Sequence, residues 1–397
     1  MPEITVDHFD NLLEDKGPAA IVLKRKLKSV EGEDAWVFPP TFAQSESNED
    51  DDGGGGTYQI DELPNDPRRN VCLIDSIGSQ ANRIEPIFKQ KPYSELVPQI
   101  SIRLKDEDEV NLLDAGHRAA DAVIRFSKVY GPKLSEAFKQ YREKGDCHDL
   151  LAIAPTSLIF GVWDSRATGA KIQRVVRSVI RAYDVTKARR SAIFQPAYDY
   201  IGNEVINPAQ DKGKGTENPL SQEGFKHSPA TGTHGGVMVK GGIQQEAIIN
   251  LVALRVLSSD LPTRRYLLGL ALVALSYRDQ NGFNLREGCL LCAATEGDYH
   301  GDWRVVYFDG KEDTPPFKDF THDAAISFAM GTIKEANNGV KVISPPGPDT
   351  FDKETAEKWL AIDKKKRKTL AKTKHPARAI ADEAAASAKK KEPGKSE

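Results

Sequence analysis

The stretch DSRATGAKIQRVVRSVIRAYDV, Asp164 to Val185, decides how this chain is read. At about 100° per residue, Lys171, Arg174, Arg177 and Arg181 fall within an arc of about 120°. Ile172, Val175, Val176, Val179, Ile180 and Tyr183 fall on the other side. The spacing predicts an amphipathic helix that docks by its apolar stripe and holds a row of cations outward. Arg166 precedes the row, and no acidic residue interrupts it between Asp164 and Asp184. Gly169 and the free amides of the expected helix start would add a second anion-binding element. Arginine offers a planar fork matched to phosphate oxygens, so the row is a candidate phosphate-binding face.

Working outward, the same strand-then-helix pattern recurs. LLAIAPTSLIFGVWDS, Leu150 to Ser165, reads as a strand feeding the basic helix. In NVCLIDSIGSQANRIEPIF a short apolar run, VCLI, ends at Asp75 and Ser76, and a helix is expected from near Ser79. In HGGVMVKGGIQQEAIINLVALRVL, His234 to Leu257, VMVK reads as a strand, Gly241 and Gly242 as the turn, and a helix as starting at Gln244. ELVPQISIRL, residues 95 to 104, reads as a strand, and DAGHRAADAVIRFS from Asp114 as a helix. AAIVLKRKLKSV, AWVFPPTF, GCLLCAAT and WRVVYF are further strand candidates. SESNEDDDGGGG, Ser45 to Gly56, reads as a flexible acidic loop.

With 397 residues, 39% hydrophobic and 28% charged, the composition is that of a soluble globular protein with a sizeable core. The longest apolar run, YLLGLALVALSY from Tyr266 to Tyr277, is too short to span a bilayer and reads as a buried helix. The acidic start, MPEITVDHFDNLLEDKG, lacks the regions of a secretory signal, so a cytoplasmic location is expected. Four cysteines make no disulfide framework. Cys289 and Cys292 form a CxxC with no second ligand pair, which reads as thiols on a strand rather than a zinc site. The net charge of -3 hides segregation. Residues 363 to 397 carry 12 Lys and Arg against 5 Asp and Glu, a surplus of 7, so the first 362 residues sum to -10. That Lys-rich tail has few apolar groups to bury and is expected to be disordered, leaving residues 1–362 as one elaborated domain.

The glycine-rich loop of residues 208 to 242 adds Phe225, Lys226, His227, His234 and Lys240. Glycines let backbone amides approach a phosphate, and a lone aromatic can stack a base. As an enzyme, the chain could use His227 and His234 as acid and base for metal-independent RNA cleavage. Other catalytic signatures fail. DKGKGTEN lacks the first glycine and the Ser or Thr of a P-loop, and there is no GxSxG or HExxH. Asp75 and Asp164 read as helix caps or arginine partners. No metal or cofactor is expected.

Three blocks carry more than local physics. IDSIGSQANRIEPIF, FGVWDSRATGAKIQRVVRSVIRAYDV and SQEGFKHSPATGTHGGVMVKGGIQQEAIINL, lying between about Val71 and Leu275, resemble the Csb-one family. That family is the Cas-seven backbone subunit of type I-U (also called I-G) CRISPR effector complexes. The resemblance implies an α+β, RAMP-superfamily fold, an RRM-like (ferredoxin-like) antiparallel sheet with helices and large insertions shaped as a hand. It implies a non-enzymatic subunit that polymerises along a CRISPR guide RNA and presents it to target DNA, beside Cas-five or Cas-six-type and large subunits. Contacts assigned from the physics of the blocks are Asn82 and Arg83, the cations Arg166, Lys171, Arg174, Arg177 and Arg181, and the glycine-rich loop.

Overall fold

The computed structural model describes residues 5–42, 57–64, 66–213, 218–277, 283–315, 321–336 and 347–389. Alternation of side chains builds its centre. In Ala20–Ser29 (β1), Ile21, Leu23, Arg25 and Leu27 turn inward while Lys24, Lys26 and Lys28 point the other way. The strands Ile60–Leu63 (β2), Asp66–Asp75 (β3) and Val176–Tyr183 (β4) follow. Next come Val185–Phe194 (β5), Ser228–Val239 (β6) and Ile243–Asn250 (β7). Phe283–Arg286 (β8), Cys289–Ala293 (β9) and Asp302–Val306 (β10) complete the main set. The central sheet runs β8-β9-β1-β7-β4-β3-β2, with β10 also paired to β1. All of these pairings are antiparallel. The molecule is α+β, a curled antiparallel sheet backed by helices.

Helices Ile77–Ile84 (α1), Tyr130–Lys144 (α2), His148–Ile153 (α3) and Pro155–Phe160 (α4) precede β4. Leu251–Leu257 (α5), Leu261–Ser276 (α6) and His322–Ala336 (α7) lie later in the chain. The apolar run read as a buried helix is α6, sheathed from Thr263 to Ser276 except at Arg265. Its Gly269 permits a close crossing with α7, since a Cβ there would stand 3.0 Å from the Ala329 Cα. Among the described residues no helix is long and apolar enough to cross a membrane.

Two apolar clusters occupy the buried face of the sheet, one with α6 and the other around Ile74, Ile180 and Phe283. A polar chain crosses the same buried side. Arg25 Nη1 donates to Gln245 Oε1 (2.9 Å), Gln245 Nε2 to Ser178 Oγ (3.0 Å), and Ser178 Oγ to Gln80 Oε1 (2.9 Å). Gln80 Nε2 donates in turn to Asp75 Oδ2, which Arg83 also pairs at 3.3 Å. The chain spans β1, β7, β4 and β3 with α1, and satisfies polar groups that burial would otherwise penalise.

Several sequence expectations are corrected here. The basic stretch is not a helix: Lys171 and Ile172 form a short strand with Val162 and Trp163, and residues 176–183 are β4. Its apolar residues are mostly β-branched, stiff at χ1 and suited to a pleated surface, and β3 and β7 supply hydrogen bonds on both edges. Leu150 to Phe160 is helical as α3 and α4, with Pro155 at a first helical position. The helix expected from Gln244 is β7, whose residues alternate between buried and half-buried; Asn250 then caps α5 through Ala253 N. The strand expected over 95–104 is confined to Ser101–Arg103, and the helix from Asp114 to short turns at Arg118–Ala120 and Ala122–Arg125.

Where the glycine-rich loop was expected, residues 228–239 form β6, paired to β5 in a long hairpin that departs from β4 and returns into β7. The tail is likewise ordered to residue 389. Lys353–Ala361 (α8), Lys364–Leu370 (α9) and Pro376–Lys389 (α10) enclose a third cluster of Phe126, Ala356, Trp359, Ala371 and Ala379. Small alanines supply the buried surface that a search for large apolar groups overlooks. Residues 390–397 and the acidic loop 45–56 lie outside the described residues. The expectations that hold include β1, β3, the VMVK strand within β6, β9, β10 and α1, which begins at Ile77 with Ser76 as its cap. Cys289 is buried on β9, as read, and Asp164 receives the Thr168 amide and hydroxyl.

Candidate nucleic-acid interface

Antiparallel register places paired side chains on one face of a sheet. Across the open face here, one row runs Arg177, Ile248, Val22 and Arg304, and the next Val179, Glu246, Lys24 and Asp302. A third joins Arg181, Gln244 and Lys26. Arg181 Nη1 meets Glu246 Oε2 at 2.7 Å, which fixes one cation in place. Arg177, Lys24, Lys26 and Lys28 make no ion pair with another described residue, although Lys24 stands in register between Glu246 and Asp302.

Two clefts open on this face at opposite ends of β7. The larger, about 750 Å³, is lined by Arg118, Gly161, Trp163, Lys171, Arg174, Arg177, Ile248 and Asn250, among others. The smaller, about 330 Å³, gathers Lys26, Lys28, Tyr183, Lys240 and the Gly241–Gly242 turn. Gln244 and Asn250, six residues apart on β7, set the clefts roughly 20 Å from one another at about 3.3 Å per residue. The result is an elongated, mainly cationic surface with amide-rich turns, interrupted by Glu33 in the smaller cleft and by Glu246 between the two.

Local structure holds each group of the larger cleft. Gly161 has φ +76, and a Cβ there would stand 2.5 Å from Arg174 Cγ, so the missing side chain is what lets Arg174 cross the backbone. Arg174 Nη1 donates to the Ile77 carbonyl at 3.2 Å, and partial burial lowers its pKa from the ordinary arginine value. Lys171 faces Trp163 across the short ladder, with its ammonium 5.6 Å from the indole centroid. At the floor, Arg118, only 4% exposed, pairs Glu85 at 2.6 Å and donates to Asn82 Oδ1 at 3.1 Å. Burial pushes the Glu85 carboxyl up to about 7 against the opposing pull of Arg118.

The twelve residues singled out from sequence therefore divide. Asn82, Lys171, Arg174 and Arg177 lie in or beside the larger cleft, and Lys240 in the smaller. Arg181 stands between them on β4. Arg166 is exposed in the turn following Trp163, next to Ser165, which lines the larger cleft. Arg83 is engaged by buried Asp75 instead of facing the clefts. Phe225 and Lys226 sit at the far end of the β5–β6 hairpin, against Tyr200 and Asp211 respectively. His227 adjoins them, whereas His234 is opposite Arg189 and packs on Tyr58, 4.7 Å between ring centroids. Seven residues along an extended chain put the two histidines on the order of 20 Å apart. The structure does not assemble them into an acid and base pair.

Sequence reasoning missed Arg118, Trp163 and the three lysines of β1. The lysines had a signal, since KRKLK in a strand alternates and therefore places Lys24, Lys26 and Lys28 on one face. Arg118 had none, because its position depends on Glu85, 33 residues away. Among the described residues, no group of three or more His, Cys, Asp or Glu could hold a metal ion. Chemically, the surface can hold successive phosphates by charge and stack one flat ring on Trp163.

Residues 21–187 match the family described as CRISPR-associated protein GSU0053. The matched span includes β1, β3 and β4 and two of the three sequence blocks that carry the resemblance; the third lies beyond its end. No curated protein matches the chain.

Proposed function

We propose, from the match of residues 21–187 to a CRISPR-associated family, that this chain is a non-catalytic backbone subunit of the Cas-seven type that holds a CRISPR guide RNA by its phosphates. The observation that carries the reading is the open sheet face, where Lys171, Arg174 and Arg177 line one cleft and Lys26, Lys28 and Lys240 the other without ion pairs among the described residues. A guide must be bound whatever its sequence, and contacts of charge to backbone leave base edges available for pairing with target DNA. The acidic remainder of the chain discourages a polyanion elsewhere.

The strand order supports an RRM-like core. β10, β1, β7 and β4 are neighbours in that order, with helical connections from β1 to β4 and from β7 to β10, as in a split βαβ arrangement. Copies of the chain line up along one guide as a helical filament, and Cas-five or Cas-six-type and large subunits complete an antiviral, Cascade-type complex in the cytoplasm. Affinity is then distributed over repeated copies, each holding a few phosphates.

The competing reading, an RNA-processing nuclease using His227 and His234, is disfavoured by their separation along the hairpin. The test is incubation of purified protein with labelled single-stranded RNA, scoring binding and integrity together. Bound and intact RNA is the expected result. Metal-independent cleavage that stops in His227→Ala or His234→Ala would replace this reading with the nuclease.

A further inference from the structure

The C-terminal helices present a second cationic element. Residues 364 to 381 contain eight Lys and Arg and no Asp or Glu. Two of the eight are engaged by α10, Lys366 with Glu383 at 2.7 Å and Lys374 with Asp382. Those pairs, with Leu370, Ala371 and Ala379 in the third apolar cluster, fix the orientation of α9. Lys364, Lys365 and Lys368 then fall within an arc of about 100° that faces away from Lys366 and Leu370. All three are exposed, as is Lys372 in the following turn, and none makes an ion pair with another described residue.

This element is anchored beside the larger cleft. Pro376 shares a crevice with Ala119, Ala120, Arg125, Asp164 and Ala167. Those residues flank Arg118 and Arg166. His375 Nε2 donates to the Arg125 carbonyl at 2.8 Å, and its Nδ1 accepts from the Ala377 amide at 3.3 Å, fixing the start of α10. An exposed lysine stripe held by ion pairs and packing differs from a loose polyanion-attracting tail: its charges keep one direction relative to the cleft, so less ordering entropy is lost on binding.

We infer that Lys364, Lys365, Lys368 and Lys372 form a second binding surface for a phosphodiester backbone, extending the cationic track beyond the larger cleft. The inference rests on the guide-binding reading for its ligand and concerns separate residues. The backbone belongs either to the single-stranded guide or to a duplex of guide and target, and the experiment separates these sources.

The full chain, Lys364→Glu/Lys365→Glu/Lys368→Glu and Arg174→Glu/Arg177→Glu are each titrated over a range of salt with single-stranded RNA and with an RNA–DNA duplex. Loss of three phosphate contacts lowers the slope of log affinity against log salt by about 2 on a single strand, and affinity at physiological salt falls about tenfold. Far-UV spectra and melting temperature should stay at the parent values, since the three side chains are exposed. A loss confined to RNA assigns the stripe to the guide, a loss confined to the duplex assigns it to the paired strand, and either supports the inference. Unchanged slopes with both ligands overturn it. If the groove reversal weakens binding and the lysine reversal does not, only this inference fails. If the lysine reversal alone weakens binding, the stripe stands and the groove reading falls.

Discussion

Lys171 stands directly across a two-residue ladder from Trp163, and its ammonium lies over an indole that is 61% exposed. The pair offers a flat ring and a positive charge at the mouth of the larger cleft, the combination that holds a single-stranded nucleotide by base and phosphate together.

Replacing that ring should be felt at once. Trp163→Ala is expected to weaken RNA binding by about 1–3 kcal/mol, the usual worth of a base stacked on an aromatic ring, with Trp163→Phe retaining most of the affinity. Filter binding gives the loss. Equal affinity in the alanine variant would remove Trp163 from the interface.

Gly161 should tolerate no side chain. Alanine there meets both the left-handed backbone and the Arg174 side chain, so Gly161→Ala should lower stability by about 1–3 kcal/mol and weaken RNA binding as Arg174 is displaced. Denaturant melts and binding on the same preparation check both. A variant indistinguishable from the parent contradicts the close approach.

The buried polar chain makes a stability prediction far from the clefts. Ser178 Oγ both accepts from Gln245 and donates to Gln80. Ser178→Ala strands both amides and should cost about 1–3 kcal/mol in urea unfolding. No measurable loss would mean the amides find other partners.

Glu85 supplies a pH dependence. Its carboxyl is raised from an ordinary 4.5 to about 7 by burial. The folded state therefore binds this proton more tightly than the unfolded chain, and the group's stabilising contribution is complete below about 4.5 and lost as pH rises through 7. At roughly 1.4 kcal/mol per pKa unit, the parent should lose up to about 3 kcal/mol between pH 5 and 8 relative to Glu85→Gln. Parallel stability curves for the two proteins would show that Glu85 titrates normally.

Much of the fold was legible where local signals and burial agree. VCLI ending at Asp75, followed by the Ser76 cap, gave β3 and α1, and the unbroken apolar run from Tyr266 gave α6. The basic stretch misled because paired β-branched residues fit a helical period as well as a strand, and β7, the partner that decides between them, comes more than 60 residues later. The site itself was partly independent of that error. Alternation along β4 puts Arg177 and Arg181 on one face just as a helix would, so the cationic row survived as a property of the surface, although Arg83 was drawn inward by Asp75. The scattering of Phe225, His227, His234 and Lys240 along one hairpin follows from pairing that a glycine-rich composition conceals.

The most direct measurement is the salt dependence of binding to a labelled RNA of about 30 to 40 nucleotides, for the parent chain and for Arg174→Glu/Arg177→Glu. Cooperative binding of intact RNA, with a log–log slope that drops by at least about 1.4 and an affinity nearly abolished in a variant that keeps its fold, is the predicted result. Equal affinity and equal slope in the two proteins would contradict the assignment of this sheet face to the guide.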